Sequence, residues 1–326
     1  MRLTESRIVI RSIAVLPAIP THELAKRDMV MKMKRRAAIL LPILAMLGGC
    51  GGGGGEGVSS APPPPSYTAL ANATSSTPLA TQAARYEFVS LHNVPIPTNS
   101  GQFASIEISY DPSSQVYHVR GVPSSGSTTI IDQSFGPSDV SADGAGSYAR
   151  ITTTADRTEV AKLAAGPTTG FTYASFGRWT TGLTEGGDQR FDTIYFSYGV
   201  RTLPQDMPKT GQASYRLGLS GDGGGAPISG TGAITADFAA GTIGASLAPT
   251  QIYSPLRISY FANLSGTGTI DSAHSSFAAS VTGDGYSGSL SGTFYGPQAA
   301  ELGGAFTLSA PNGSITAVGV FSGRKN

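Results

Sequence analysis

The sequence predicts an all-β protein: an antiparallel β-barrel of about eight strands at the C-terminus, preceded by a β-rich, handle-like region. Three observations carry this. Charged residues make up 13% of the 326, about half the usual quarter, and Gly, Ser and Thr take their place. Aromatic residues are interleaved through the chain with few patterns of helical period. The last third is a succession of short alternating runs separated by turn formers.

Those runs are 211–219, 226–238, 241–249, 256–270, 275–283, 286–296, 302–310 and 314–323. Between them stand Gly221-Asp222-Gly223, residues 237–241, Gly283-Asp284-Gly285 and Pro311-Asn312-Gly313, all read as turns. Eight antiparallel strands suffice to close a small barrel, and closure removes free edges. The in-strand glycines suit a sharply coiled sheet.

The N-terminal part reads differently. Cys50 is the only cysteine, so no internal disulfide is available to it. It is followed by Gly51 to Gly55, which neither bury a thiol nor build a pocket around a nucleophile. Modification remains. Upstream, Lys32, Lys34, Arg35 and Arg36 precede an apolar run from Ala37 to Leu47, the length of a signal-peptide core and well short of the ~20 residues that span a bilayer. The ending Leu47-Gly48-Gly49-Cys50 resembles the bacterial lipobox, which implies a diacylated Cys50 at the head of the mature chain. An ordinary cleaved signal is the alternative.

Residues 31–49 are accordingly expected to be a lipoprotein signal peptide. Residues 1–30 fit no signal and are expected to be a mis-called extension, with translation starting at Met29, Met31 or Met33; His22 then carries no weight. Residues 50–66 form a Gly/Pro tether, a floppy glycine coil followed by a short polyproline rod at Pro62 to Pro65, with a reach on the order of 20 Å. Residues 67–204 are the handle-like region and 205–326 the barrel.

Composition and spacing exclude several function classes. The formal net charge is +1 and no basic stripe is present, so nucleic acid is not an expected partner. The nearest strings to a nucleophile elbow, residues 285–289 and 244–248, sit in strand patterns. His92, His118 and His274 are far apart with no paired spacing, so no metal site and no cofactor are expected. Glu185, Asp188 and Asp192 can in principle gather around Ca²⁺, but they lack the spacing of a calcium loop, and residues 185–192 are read as a solvated loop. Trp179, with Arg178 and Tyr173, is read as core packing at the junction of handle and barrel, the alternative being an aromatic contact surface.

The stretch Gly292 to Phe306, "GTFYGPQAAELGGAF", carries a specific resemblance. With Phe294-Tyr295-Gly296-Pro297, Ala299, Glu301, Gly303-Gly304 and Phe306 in place, it resembles the signature of the C-terminal β-barrel of transferrin-binding-protein-B-like surface lipoproteins. Residues 206–221 are similar to the opening strand of that barrel and 319–325 to its closing strand. Residues 173–179 and 191–202 are similar to the strands that precede it. In physical terms Gly296-Pro297 turns the chain, 298–301 makes a short helical turn, Glu301 accepts hydrogen bonds from turn amides, and Gly303-Gly304 permits close strand packing.

The resemblance implies a surface-exposed, lipid-anchored outer-membrane protein, carried across by a translocon that recognises the barrel. Full-length members resemble two handle-plus-barrel lobes, and residues 67–326 have room for one. Host-protein contact in such proteins is made by loops of the N-terminal lobe, which map onto no residues here, so ligand-binding residues are unassigned. Two function classes fit. One is a binding module for a protein, haem or iron-carrier ligand, working with an outer-membrane transporter. The other is a structural or adhesive envelope lipoprotein without a small ligand. An enzyme is not expected, and Cys50 is the one assigned site residue, bound through its acyl chains to the lipid bilayer.

Overall fold

The computed structural model describes residues 65–326, apart from 75–76, 78, 92–93, 97–101, 122–130, 142–145, 166–169, 224–225, 255 and 312–315. These residues belong to one compact unit, Pro64–Asn326. Cys50, the expected signal segment, nearly all of the expected tether and His92 lie outside the described residues.

Ten strands precede the barrel: β1 (Leu79–Leu91), β2 (Val94–Ile96), β3 (Gln102–Ala104), β4 (Ile106–Asp111), β5 (Val116–Gly121), β6 (Ile131–Phe135), β7 (Ser147–Thr153), β8 (Arg157–Ala164), β9 (Ala174–Glu185) and β10 (Asp188–Val200). They form two sheets. The larger runs β2-β1-β10-β9-β8-β7, with β3 also paired to β1; the smaller is β4-β5-β6.

Nine further strands follow: β11 (Gln212–Gly223), β12 (Ala226–Asp237), β13 (Thr242–Ser254), β14 (Arg257–Tyr260), β15 (Leu264–Asp271), β16 (Ser276–Gly283), β17 (Tyr286–Tyr295), β18 (Glu301–Ser309) and β19 (Thr316–Lys325). Eight of them close a ring, β12-β11-β19-β18-β17-β16-β15-β13 and back to β12, and β14 hangs on β13 outside it. Closure joins β11 to β19 with Tyr215 opposite Lys325 and Gly221 opposite Gly319.

The ring is solid. Tyr215, Leu217, Ile234, Phe277, Phe294, Leu302, Phe306, Leu308 and Phe321 point inward and form one buried cluster. A barrel of this strand number is just wide enough for side chains to fill it. The strict alternation along β11, exposed and buried by turns from Gln212 to Leu219, follows from the two-residue period of the strand.

Strand β10 departs from that alternation, because both of its faces are covered and residues 192–199 are all buried. Ile194, Phe196 and Tyr198 pack into the core shared with the smaller sheet, beside Val119, Phe135, Leu163 and Trp179. Tyr195 faces the other way, onto Ala305, Val318 and Val320 of the barrel wall.

Three sequence expectations need correcting. Gly221-Asp222-Gly223 is not a turn; β11 runs through it to pair with Ala226 onward. Residues 256–270 are not one strand but two, β14 and β15, separated at 261–263. Residues 298–301 do not make a helical turn. A 3-10 turn spans Pro297–Ala299, with Gln298 and Ala299 in the left-handed region at φ 52° and 54°, and Glu301 already belongs to β18.

Candidate binding faces

The signature residues divide by strand parity into two sets. Phe294, Leu302 and Phe306 fill the barrel, whereas Tyr295, Glu301 and Gly303 meet the handle sheet. The Glu301 carboxylate is buried and accepts main-chain N–H groups from Thr172 at 2.7 Å and from Tyr173 and Ala174 at 2.8 Å. The donors are turn amides, as expected, but they come from the start of β9 and not from the barrel's own turn. Tyr295 packs with Ala80 and Ala174 and donates to the Ala80 carbonyl at 3.2 Å. A Cβ at Gly303 would stand 3.1 Å from Ser197 Cβ, and one at Gly296, where φ is +69°, would enter the Tyr173 ring.

Polar contacts complete the junction. Gln82 donates to Thr293 at 3.1 Å and accepts from Ser291 at 2.7 Å. The Tyr195 hydroxyl donates to Asp222; burial pushes this carboxyl above its ordinary range, against the hydrogen bond from Tyr195 and the nearby Arg178. Trp179 is not at this junction. It is buried in the handle core, with its indole N–H donating to Gln133 at 2.9 Å.

The chain reaches this body at one end. The Tyr67 hydroxyl donates to Asp206 at 2.9 Å and accepts the Leu203 N–H at 2.9 Å, and Asp206 accepts the Gln298 N–H. At the opposite end of the barrel lie the C-terminal ends of β11, β13, β16 and β18. The β9–β10 hairpin also lies far from Tyr67. Val200 at the near end of β10 accepts the Gly296 N–H, and Asp188 stands at its other end, roughly 40 Å away at the usual strand rise.

Two surface features occupy that far end. One is an open cleft of about 400 Å³ on the inner face of the larger handle sheet, lined by Gln133, Arg150, Thr152, Glu159, Arg190 and Asp192 among others. Residues 185–192 are thus not a solvated loop. Gly186 and Gly187, both at positive φ, make a tight turn between Glu185 and Asp188, and Asp192 is buried in the strand with Arg85 donating to it at 2.6 Å. Burial lifts the Asp192 carboxyl to about 6, against the hydrogen bond and charge of Arg85. The other feature is the β13–β14 hairpin, where Tyr253, Leu256, Ile258 and Tyr260 are exposed.

Among the described residues no three His, Cys, Asp or Glu side chains gather to hold a metal. His118 bonds Ser134 at 2.8 Å and His274 bonds Asp271 at 2.7 Å. No helix of the described residues is long and apolar enough to cross a membrane.

Residues 207–325 match the family described as the C-lobe and N-lobe beta barrels of Tf-binding protein B. The match covers the barrel strands β11 to β19 and none of the handle. Similar solved structures include a double mutant of the vaccine antigen transferrin binding protein B from Haemophilus parasuis, 16% identical over 68% of this chain and 54% of that one, with a TM-score of 0.36. Another is the isotype 1 transferrin binding protein B from serogroup B Neisseria meningitidis, 16% identical over 69% and 53%, with a TM-score of 0.34. The chain therefore spans about half the length of these proteins. No curated protein matches. The transferrin-binding-protein-B signature in this chain is the element that docks the handle. The sequence pattern marks its residues but not the way they face, because Glu301 and its amide donors are more than a hundred positions apart.

Proposed function

We propose that this chain is a lipid-anchored outer-membrane protein, acylated at Cys50 and displayed on the cell surface, that binds a protein ligand for an outer-membrane transporter. The observation that carries this reading is the transferrin-binding-protein-B-type barrel with its filled interior. A filled barrel has no lumen for a small ligand, so binding falls to the outer surface. The handle cleft is open, and four of its lining residues are charged, whereas sites for small apolar ligands are enclosed and mostly apolar. Such a lining suits the side chains of a protein better than a haem macrocycle. The cleft also stands at the end remote from Tyr67, where a tethered body presents itself to large partners.

The test is capture from spent medium or host serum by the full chain carrying Cys50→Ala. A retained protein that is lost when the cleft is filled by Thr152→Trp with Arg190→Ala supports the reading. Equal retention by both, or no retention by either while the fold is intact, contradicts it and leaves the structural or adhesive envelope lipoprotein.

A further inference from the structure

The β13–β14 hairpin leaves an edge of the barrel sheet open. Strand β14 pairs with β13 and with no other strand among the described residues. Tyr260 lies opposite Thr250, Ser259 opposite Gln251 and Ile258 opposite Ile252, and the Phe261 N–H donates to the Pro249 carbonyl at 3.2 Å. Along an antiparallel strand the main-chain groups point to one neighbour and then the other by turns. Ser259, like Phe261, therefore directs its groups to β13, while Ile258 and Tyr260 direct theirs to the open edge. The side chains on these two residues are 62% and 60% exposed, and neighbouring Leu256 is 99% exposed. Proteins blunt or cover such edges unless they are used.

We propose that this edge pairs with the same edge of a second copy, antiparallel, about a two-fold axis at Ser259. Ser259 stands midway between the two outward-directed residues, so the axis sets Ile258 against Tyr260 of the second copy and Tyr260 against its Ile258. Each of these pairs can exchange N–H and C=O in both directions. The side chains form an aliphatic–aromatic pair across the strands, a favourable combination, and Arg257 falls opposite position 261 and not opposite another arginine, so like charges do not face each other. A bilayer would leave the edge groups unpaired, whereas a strand satisfies them.

The pairing fixes direction as well. β14 runs from the far tip back toward the end that holds Tyr67, and in the second copy that direction is reversed. The Tyr67 ends of the two bodies then lie at opposite ends of the dimer, which, on the lipid-anchored reading proposed above, joins copies held on two facing surfaces. This self-association is independent of ligand capture by the handle cleft.

Cross-linking tests it, because replacing Cys50 leaves the chain free of thiols. Residues facing each other across the axis in the non-hydrogen-bonded position have Cα atoms about 4.5 Å apart, within disulfide range. Full-length Cys50→Ala/Ser259→Cys is expected to give a covalent dimer on mild oxidation, with an elongated shape in solution scattering. The same chain with Ser280→Cys, exposed on the flank of β16, is expected to remain monomeric, and adding Ile258→Lys to the Ser259→Cys chain is expected to abolish the dimer. Absence of the Ser259→Cys dimer, equal dimer from Ser280→Cys, or persistence with Ile258→Lys overturns the proposal. A compact, side-by-side dimer overturns the head-to-head arrangement.

Discussion

Glu301, the first residue of barrel strand β18, accepts the main-chain N–H of Ala174, the first residue of handle strand β9, at 2.8 Å. The same carboxylate holds the amides of Thr172 and Tyr173, so one side chain ties the start of a barrel strand to the start of a handle strand. Replacing Glu301 with Ala would leave three donors without this acceptor at a buried junction. At about 1–3 kcal/mol for each group left unsatisfied, the loss should reach several kcal/mol in urea unfolding. Unchanged stability would show that water or a neighbouring group replaces the carboxylate.

The two glycines that follow separate in the same way. A Cβ at Gly304 would stand 2.3 Å from the Ser291 carbonyl oxygen and 2.3 Å from the Phe321 ring, whereas at Gly303 its nearest neighbour is Ser197 Cβ at 3.1 Å. Gly304→Ala should therefore destabilise by about 3 kcal/mol or more, and Gly303→Ala by about 1 kcal/mol, on the usual scale of overpacking. Thermal melting of the two variants gives the comparison, and equal losses would contradict it.

These contacts mark how far the sequence could be read. Alternating runs and glycine-rich turns placed nearly every barrel strand, because period and turn chemistry are local. Gly221-Asp222-Gly223 misled for the same reason. Its composition is that of a turn, but Asp222 is held in β11 by Tyr195 from the handle, a partner 27 positions away that leaves no trace nearby. The break of 256–270 at Phe261–Asn263 was equally silent, since the Asn263 N–H there is held by Asp284, 21 positions away. The signature around Tyr295 was legible as a pattern; that it faces the handle was not, because strand parity becomes an orientation only when the second layer is known.

Asp192 supplies a pH prediction. Burial pushes its carboxyl up to about 6, above the ordinary 3.8 of an aspartate, with Arg85 opposing. The folded state thus binds more proton than the unfolded state between these values, and stability contributed at this site falls as pH rises from about 4 to 6. Asp111 is shifted the opposite way, to about 2, by hydrogen bonds from Ser113 and Ser114, and its gain is complete below that window. A carboxyl NMR titration of Asp192 should show a midpoint near 6, and the difference in stability between wild type and Asp192→Asn should change across the window. A midpoint near 4 would contradict the burial argument.

Cys50→Ala should move the full chain from the membrane fraction to the soluble periplasm, since the apolar run before it is too short to anchor by itself. Fractionation with labelled palmitate checks both consequences together. Recovery of the variant in membranes at wild-type level, or absence of label from the wild type, would contradict acylation.

Surface display is the claim on which the functional reading depends most, and protease treatment of intact cells tests it most directly. The handle loops at the far end should be cut in intact cells while a periplasmic control survives, with the filled barrel left as the resistant core. If the protein stays whole until the outer membrane is permeabilised, the body faces the periplasm and the surface-binding account is wrong.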